Sequence, residues 1–339
     1  MELNDNIDLK KRKYTSRLIV SRALNRGWNI AGFKSNPAIF KISIPGKQKP
    51  IYIFSASPPQ MSYPASKIAK DKFITNCLLA DSGLPVPQEL LLSSKEDFDD
   101  NLLAEFMSNH KKTVVKPLDA SHGNGITVNI KDMSHLKKSI IKASTSSNGS
   151  LILVQEQISG VDVRILCINY KFVDSISRIP AQVIGNGKNT ISELVDIVNS
   201  HPDRGENYTA KLNYISVDMV EDYLGKNRFN EIPNNGEVVQ VVGVSNVGMG
   251  GERHNINNDV PQFLKDLAIK ASKTMELPVC GVDFMIKKLP NKHDNYEDLD
   301  PKIIEVNECP MLTMYDDLNS PEQHRVIDLY LDYLADTAS

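Results

Sequence analysis

Two short apolar runs in the last sixty residues carry oxygen-bearing side chains in a pattern that could hold a hard cation. The first, residues 281–286, contains Asp283, and the second, residues 303–310, contains Glu305 and Asn307. Alternate side chains of a strand share a face, so Glu305 and Asn307 point the same way. Asp283 joins them if the two runs pair as neighbouring strands. Magnesium is usually held by one or two carboxylates together with substrate phosphates, and two carboxylates with one amide suit that arrangement. The alternative is a row of polar residues on the solvated face of an antiparallel sheet. Spacing alone leaves both open.

A phosphate beside such an ion needs cations and backbone donors. Residues 113–117 read as a strand that reaches Lys116, followed by a loop with His122, Gly123 and Gly125 that leads into a second strand. Small residues let backbone N–H groups approach an anion, and a lysine beside them adds a point charge. The lysine precedes the glycines and no helix follows, so this is not a Walker loop; it reads as a hairpin tip over a phosphate, or as an ordinary Gly-rich turn. Asp162 and Arg164 lie two apart in a strand-like run and share a face. Arg178 ends the next run and offers a fork to a carboxylate or phosphate. A second glycine-rich loop, with Asn246, Gly250 and Gly251, precedes Arg253 and His254.

The elements that must position these residues can be read in order. A helix is expected over 9–27, and strands over 38–44 and 51–54 form a hairpin about Pro45 and Gly46. Residues 55–64, with Pro58 and Pro59, read as a linker. One helix carrying Lys67, Lys70 and Lys72 is expected over 65–82, ending at Gly83. Thr190 and Glu193 form a capping box for a helix over 191–199. A helix follows over 218–224, a strand over 238–244, and an amphipathic helix over 261–275. Residues 289–301 read as a flexible polar insertion, and a helix over 322–335 closes the chain.

With 339 residues, 41% of them hydrophobic and 24% charged, the chain has the size and composition of two or three packed subdomains. A net charge of -3 argues against nucleic acid as the main partner. Cys77, Cys167, Cys280 and Cys309 show no paired spacing, which argues against a zinc site or disulfide scaffold and fits a reducing cytoplasm. No apolar run approaches the roughly 18 residues of a membrane span, and no secretory signal is visible. The expectation is a cytoplasmic protein with neither nucleic acid nor membrane as partner.

Taken together the pieces resemble an ATP-grasp carboxylate-amine ligase. Within that superfamily the chain is most similar to the ATP-grasp parts of cyanophycin synthetase and of the bifunctional glutamate-cysteine ligase/glutathione synthetase. The resemblance rests on Lys70, Asp71, Lys72 and Thr75 ahead of residues 83–87, and on residues 115–125. It continues through Gly160, Asp162 and Arg164, residues 178–194, 232–239 and 246–251, and finally Gly281, Asp283, Glu305 and Asn307. It covers nearly everything after residue 18. It implies an α+β chain with the ATP-grasp fold, two α+β subdomains gripping ATP between antiparallel sheets. The small N-terminal α/β lead-in would span 1–64. The grasp unit would span 65–339, its first subdomain 65–157 and its second 158–339 with a helical insertion over 188–235.

The same resemblance implies roles. Lys72 and Lys116 would hold the ATP phosphates under the loop of His122, Gly123 and Gly125. Gln155, Glu156, Gln157 and Ile158 would form the hinge, with Glu156 reading the adenine edge and Asp162 near the ribose. Asp283, Glu305 and Asn307 would bind two magnesium ions, manganese being the alternative. Arg178, Asn246, Gly250 and Gly251 would neutralise the acyl phosphate and the departing phosphate. Arg164, Arg253, His254 and Tyr315 are candidates for substrate groups, with structural ion pairing as the alternative for the first three.

The activity so implied is ATP-dependent joining of an amino-acid or peptide carboxylate to an amine through an acyl phosphate, releasing ADP and phosphate. The alternatives are a ligase acting on a peptide or protein tail, and a nucleotide-binding protein without catalysis. A homodimer is an expectation by analogy. The sequence departs from its relatives beyond Asn307, where they tend to run Pro-Gly-Leu/Phe toward a methionine and a histidine and this chain has residues 308–315 with Tyr315 for the histidine, and at Val244 and Ser245, where many related ligases place an arginine.

Overall fold

A computed structural model describes residues 3–4, 12–94, 98–118, 125–146, 151–206, 210, 212–243, 250–315 and 325–339. The sequence-based sites His122, Gly123 and Asn246 lie outside the described residues.

The N-terminal unit is a four-stranded antiparallel sheet, β1 (Leu3–Asn4), β2 (Asn29–Phe33), β3 (Ile39–Ser43) and β4 (Ile51–Phe54), with α1 (Tyr14–Asn25). The sequence suggested only the hairpin β3–β4. β2 was hidden because Asn29, Ala31 and Gly32 are weak strand formers. Residues 65–82 form two helices rather than one, α2 (Tyr63–Lys70) and α3 (Lys72–Asp81). Asp71 separates them: its backbone is extended, and its carboxylate accepts from Ile74 N at 3.0 Å, capping α3. Lys72 thereby becomes the first residue of α3.

The next unit is a second antiparallel sheet in the order β5-β8-β6-β7, comprising β5 (Glu89–Ser93), β6 (Thr113–Pro117), β7 (Thr127–Ile130) and β8 (Leu151–Glu156). Its apolar face is covered by α4 (Asp100–Asn109) and α5 (Met133–Thr145), with Phe106, Leu136 and Ile140 packed against Val115, Ile152 and Val154.

The centre of the molecule is a five-stranded antiparallel sheet in the order β15-β10-β9-β16-β17. Its strands are β9 (Val161–Ile168), β10 (Lys171–Ile179), β15 (Glu252–Asn255), β16 (Val279–Ile286) and β17 (Lys302–Asn307). Between β10 and β15 comes a small unit with its own core around Ile191, Val195, Val220 and Val239. It contains β11 (Gln182–Ile184), α6 (Ile191–Asn199), β12 (Arg204–Gly205), β13 (Leu212–Asn213), α7 (Val217–Leu224), α8 (Lys226–Phe229) and β14 (Val238–Gln240). The capping box at Thr190 and Glu193 is present. One face of the central sheet packs Val163, Ile165, Val282 and Phe284 against α9 (Gln262–Thr274). The expected flexible insertion carries α10 (Tyr296–Leu299), capped by Asn295. The chain closes with a 3-10 turn, Leu312–Tyr315, and α11 (Arg325–Thr337).

The second face of the central sheet is divided. At one end Leu166, Ile168, Ile176 and Val279 pack against the N-terminal unit and α11 in a core shared with Ile19, Trp28 and Phe40. At the other end the same alternation places Asp162, Arg164, Arg178 and Asp283. The central strands are thus covered on both sides, so a polar residue here is buried and not solvated.

Because the N-terminal sheet shares that core, it should unfold with the central sheet. Trp28 is the sole tryptophan and sits in the shared core. Its fluorescence and the far-ultraviolet circular dichroism should report one urea transition. Phe40→Ala should lower the stability of both by about 3–5 kcal/mol; a separate earlier loss of the Trp28 signal would contradict the shared core.

Candidate active site

β16 and β17 pair antiparallel, with Asp283 opposite Glu305 and Gly281 opposite Asn307. Asn307 Nδ2 lies 3.3 Å from both Asp283 Oδ2 and Glu305 Oε2, so the three side-chain heads converge. A half-turn of the Asn307 amide exchanges its oxygen for its nitrogen, so all three can present oxygen. Among the described residues no group of three or more His, Cys, Asp or Glu could hold a metal ion. Two carboxylates and an amide therefore fit an ion that takes its remaining ligands from phosphate and water, and not a closed protein cage.

Asp283 is 1% exposed. Arg164, directly opposite on β9, donates to both its oxygens at 2.5 and 2.6 Å. Arg178 on β10 donates to Asp283 Oδ2 at 2.9 Å and grips Asp162 with contacts of 2.6–2.9 Å. The result is an ion network crossing three strands. Burial acts to raise the Asp283 pKa, but the two guanidinium groups outweigh it and hold the carboxyl below its ordinary value. Asp162 goes the other way: burial, reinforced by the charge on Asp283, raises its pKa against the pull of Arg178. Gly281 makes room for this arrangement, because a Cβ there would stand 3.2 Å from Arg164 Cδ.

A cleft lies beside this network, between α3, the sheet of β5–β8 and β17. Lys72, Thr75, Lys116, Gln155, Ile303 and Glu305 line it. Lys116 Nζ donates to Gln155 Oε1 at 2.9 Å. Burial brings the Lys116 pKa down to about 8, although Glu89 and Glu305 pull it up.

The structure places the residues singled out in the sequence as follows. Arg164 holds Asp283 from a largely buried position. Asp162 is paired with Arg178. Glu156 faces away from Gln155: its carboxylate accepts from Gln88 N at 3.3 Å and approaches His110, so Gln155, not Glu156, faces the cleft. Gln157 pairs with Asn129, and Ile158 is half-buried just beyond β8.

Arg253 lies opposite Arg178 in register and donates to Thr313 O at 3.2 Å, whereas His254 is exposed on the other face. Tyr315 is 3% exposed, and its hydroxyl has no hydrogen-bond partner among the described residues. Burial drives its pKa far up, against the pull of Arg164. Gly125 and Gly250 have positive φ (+72° and +84°), and Gly251 is buried beside the latter. A Cβ on Gly250 would meet Ile215 Cγ1 at 2.5 Å, and its carbonyl accepts from Arg204. The sequence reading missed Glu89, which bonds to Gln155; a single acid two residues after Pro87 carries no spacing signal.

This geometry can be set beside known proteins. Residues 88–191 match the family of the prokaryotic glutathione synthetase ATP-grasp domain. A bifunctional glutathione synthetase from Pasteurella multocida superposes with a TM-score of 0.68 at 21% identity, over 96% of this chain and 44% of that one. The chain has the ATP-grasp fold. Cyanophycin synthetase of Crocosphaera subtropica is 33% identical over 254 residues, 74% of this chain and 28% of that protein. The bifunctional glutathione biosynthesis protein of Clostridium perfringens is 28% identical over 329 residues, 93% of this chain and 40% of that protein. The chain thus spans less than half the length of these relatives. No described helix is long and apolar enough to cross a membrane.

Removing one partner from the buried network should leave a charge uncompensated. Arg164→Met is expected to cost about 3 kcal/mol or more in urea unfolding, whereas Lys137→Met, which breaks the exposed pair with Asp100, should cost less than about 1 kcal/mol. Equal costs would contradict the role given to Arg164.

Proposed function

We propose that this ATP-grasp chain is a ligase that uses ATP to activate a carboxylate and joins it to an amine, releasing ADP and phosphate. The observation that carries the reading is the convergence of Asp283, Glu305 and Asn307 at the end of a cleft lined by Lys72 and Lys116. The relatives are named for glutathione and cyanophycin synthesis, which supports amino acids or small peptides as the substrates.

A carboxylate is a poor electrophile and needs a good leaving group before an amine can displace it. Transfer of the γ-phosphoryl supplies one, and that step depends mostly on positioning and charge neutralisation. In this reading Lys72 and Lys116 hold the phosphates, and Asp283, Glu305 and Asn307 hold the metal. Magnesium at that point supplies neutralisation of phosphate charge. Arg178 already lies within the reach of Asp283 and adds a cation beside the transferring group. The acyl phosphate must be kept from water, and this reading gives that task to the glycine-rich stretches that include Gly125 and Gly250.

Two measurements test these roles. Glu305→Gln should retain its fold and lower ADP release by about 100-fold or more; a near-normal rate would mean the metal site is elsewhere. Lys116 must be protonated to hold phosphate, and its pKa near 8 sets the sign of the pH dependence. ATP affinity should be flat below that pH and fall above it, by about tenfold per unit. Lys116→Arg, charged throughout, should remove the fall; a wild-type affinity that stays flat above it would contradict the assignment.

A further inference from the structure

Behind the wall of the cleft stands a carboxylate to which the mechanism gives no role. Glu89 opens β5 and lies opposite Gln155 of β8 in register. Lys116 lies on β6, the strand on the other side of β8. Gln155 Nε2 donates to Glu89 Oε2 at 2.5 Å, and Gln155 Oε1 accepts from Lys116 Nζ at 2.9 Å. A carboxylate only accepts and an ammonium only donates, so the amide between them has one orientation. Three neighbouring strands thus contribute to a relay that ends on the Lys116 ammonium.

Burial disfavours the charged form of Glu89, and contacts with Asn76, Lys116 and Gln155 only partly offset it. Among the described residues its Oε1 makes no well-formed hydrogen bond, a costly condition that an apolar side chain would avoid. Lys116 is faced by Lys72 from α3, by Glu305 from β17 and by Glu89 from β5. Burial and Lys72 disfavour its charged form, and the two carboxylates favour it, Glu89 more strongly than Glu305.

We propose that Glu89 is a positioning residue of the nucleotide cleft: through Gln155 it aims the Lys116 ammonium into the cleft and supplies its counter-charge. The inference rests on the reading of the cleft as a nucleotide site. It assigns Glu89 an effect on phosphate binding although Glu89 touches no phosphate itself.

The test is the affinity for magnesium-ATP measured calorimetrically across the alkaline range, on the wild type and on Glu89→Gln, Glu89→Asp and Lys116→Arg, alone and with Glu89→Gln. Glu89→Gln should move the alkaline loss of affinity about one pH unit lower, weakening binding about tenfold above neutrality. Glu89→Asp keeps the charge on a shorter stem and should leave that loss close to its wild-type pH. With Lys116→Arg, Glu89→Gln should no longer alter the pH profile, because the guanidinium does not titrate.

The proposal is overturned if Glu89→Gln weakens binding equally at every pH, if it changes nothing, or if Glu89→Asp moves the profile as far as Glu89→Gln. A wild type that binds no ATP overturns the cleft reading and this inference together. A wild type that binds normally with a profile insensitive to Glu89 overturns the inference alone.

Discussion

Asp283 lies between two arginines, and the rest of the site depends on that contact. A carboxylate at 1% exposure pays a desolvation penalty of several kcal/mol unless it is paired and hydrogen-bonded. Arg164 and Arg178 meet that need from adjacent and next-adjacent strands. Their demands shape the sheet around them: Gly281 leaves space for the Arg164 stem, and Asp162 takes the other side of the Arg178 fork. A charged network is thereby fixed on a sheet face whose other half is apolar core. The carboxylate, held ionised and oriented, is preorganised toward Glu305 and Asn307.

The cleft faces a different constraint. In the proposed function Lys116 meets a nucleotide away from water, yet burial favours its neutral form. Counter-charges from two directions, Glu89 behind it and Glu305 across the cleft, partly offset this. The break between α2 and α3 contributes too, since Asp71 caps α3 and sets Lys72 at its electropositive end. The cations come from one half of the fold and the carboxylates from the other, so the cleft between them is suited to a polyanion with a bound cation.

Much of the fold was legible because its signals are local. Thr190 with Glu193, the apolar face of α9, and the alternation of Glu305 and Asn307 can each be read from a few residues. The partnership of Asp283 with Arg164 could not be, because it depends on β9 and β16 being neighbours in an order that sequence proximity does not dictate. For the same reason the ion pairs that Arg164 and Asp162 make within the protein could not be foreseen from their spacing. Glu156 and Gln155 illustrate a finer limit: the strand was evident, but which of two adjacent side chains faces the cleft follows from its register with β5 and β6. Asp71 also hid its effect, since a lysine-rich run on both sides of it reads as one helix until the capping geometry is seen.

The central claim is that this charged face serves phosphoryl transfer from ATP to a carboxylate. The most direct measurement is to incubate the protein with ATP, magnesium, pooled amino acids and dipeptides, and hydroxylamine, then identify the nucleotide product and any hydroxamate by mass spectrometry. The account predicts ADP with a hydroxamate of the activated acid, both dependent on magnesium. AMP with pyrophosphate, or ATP left unconsumed with every acid in the pool, would contradict it.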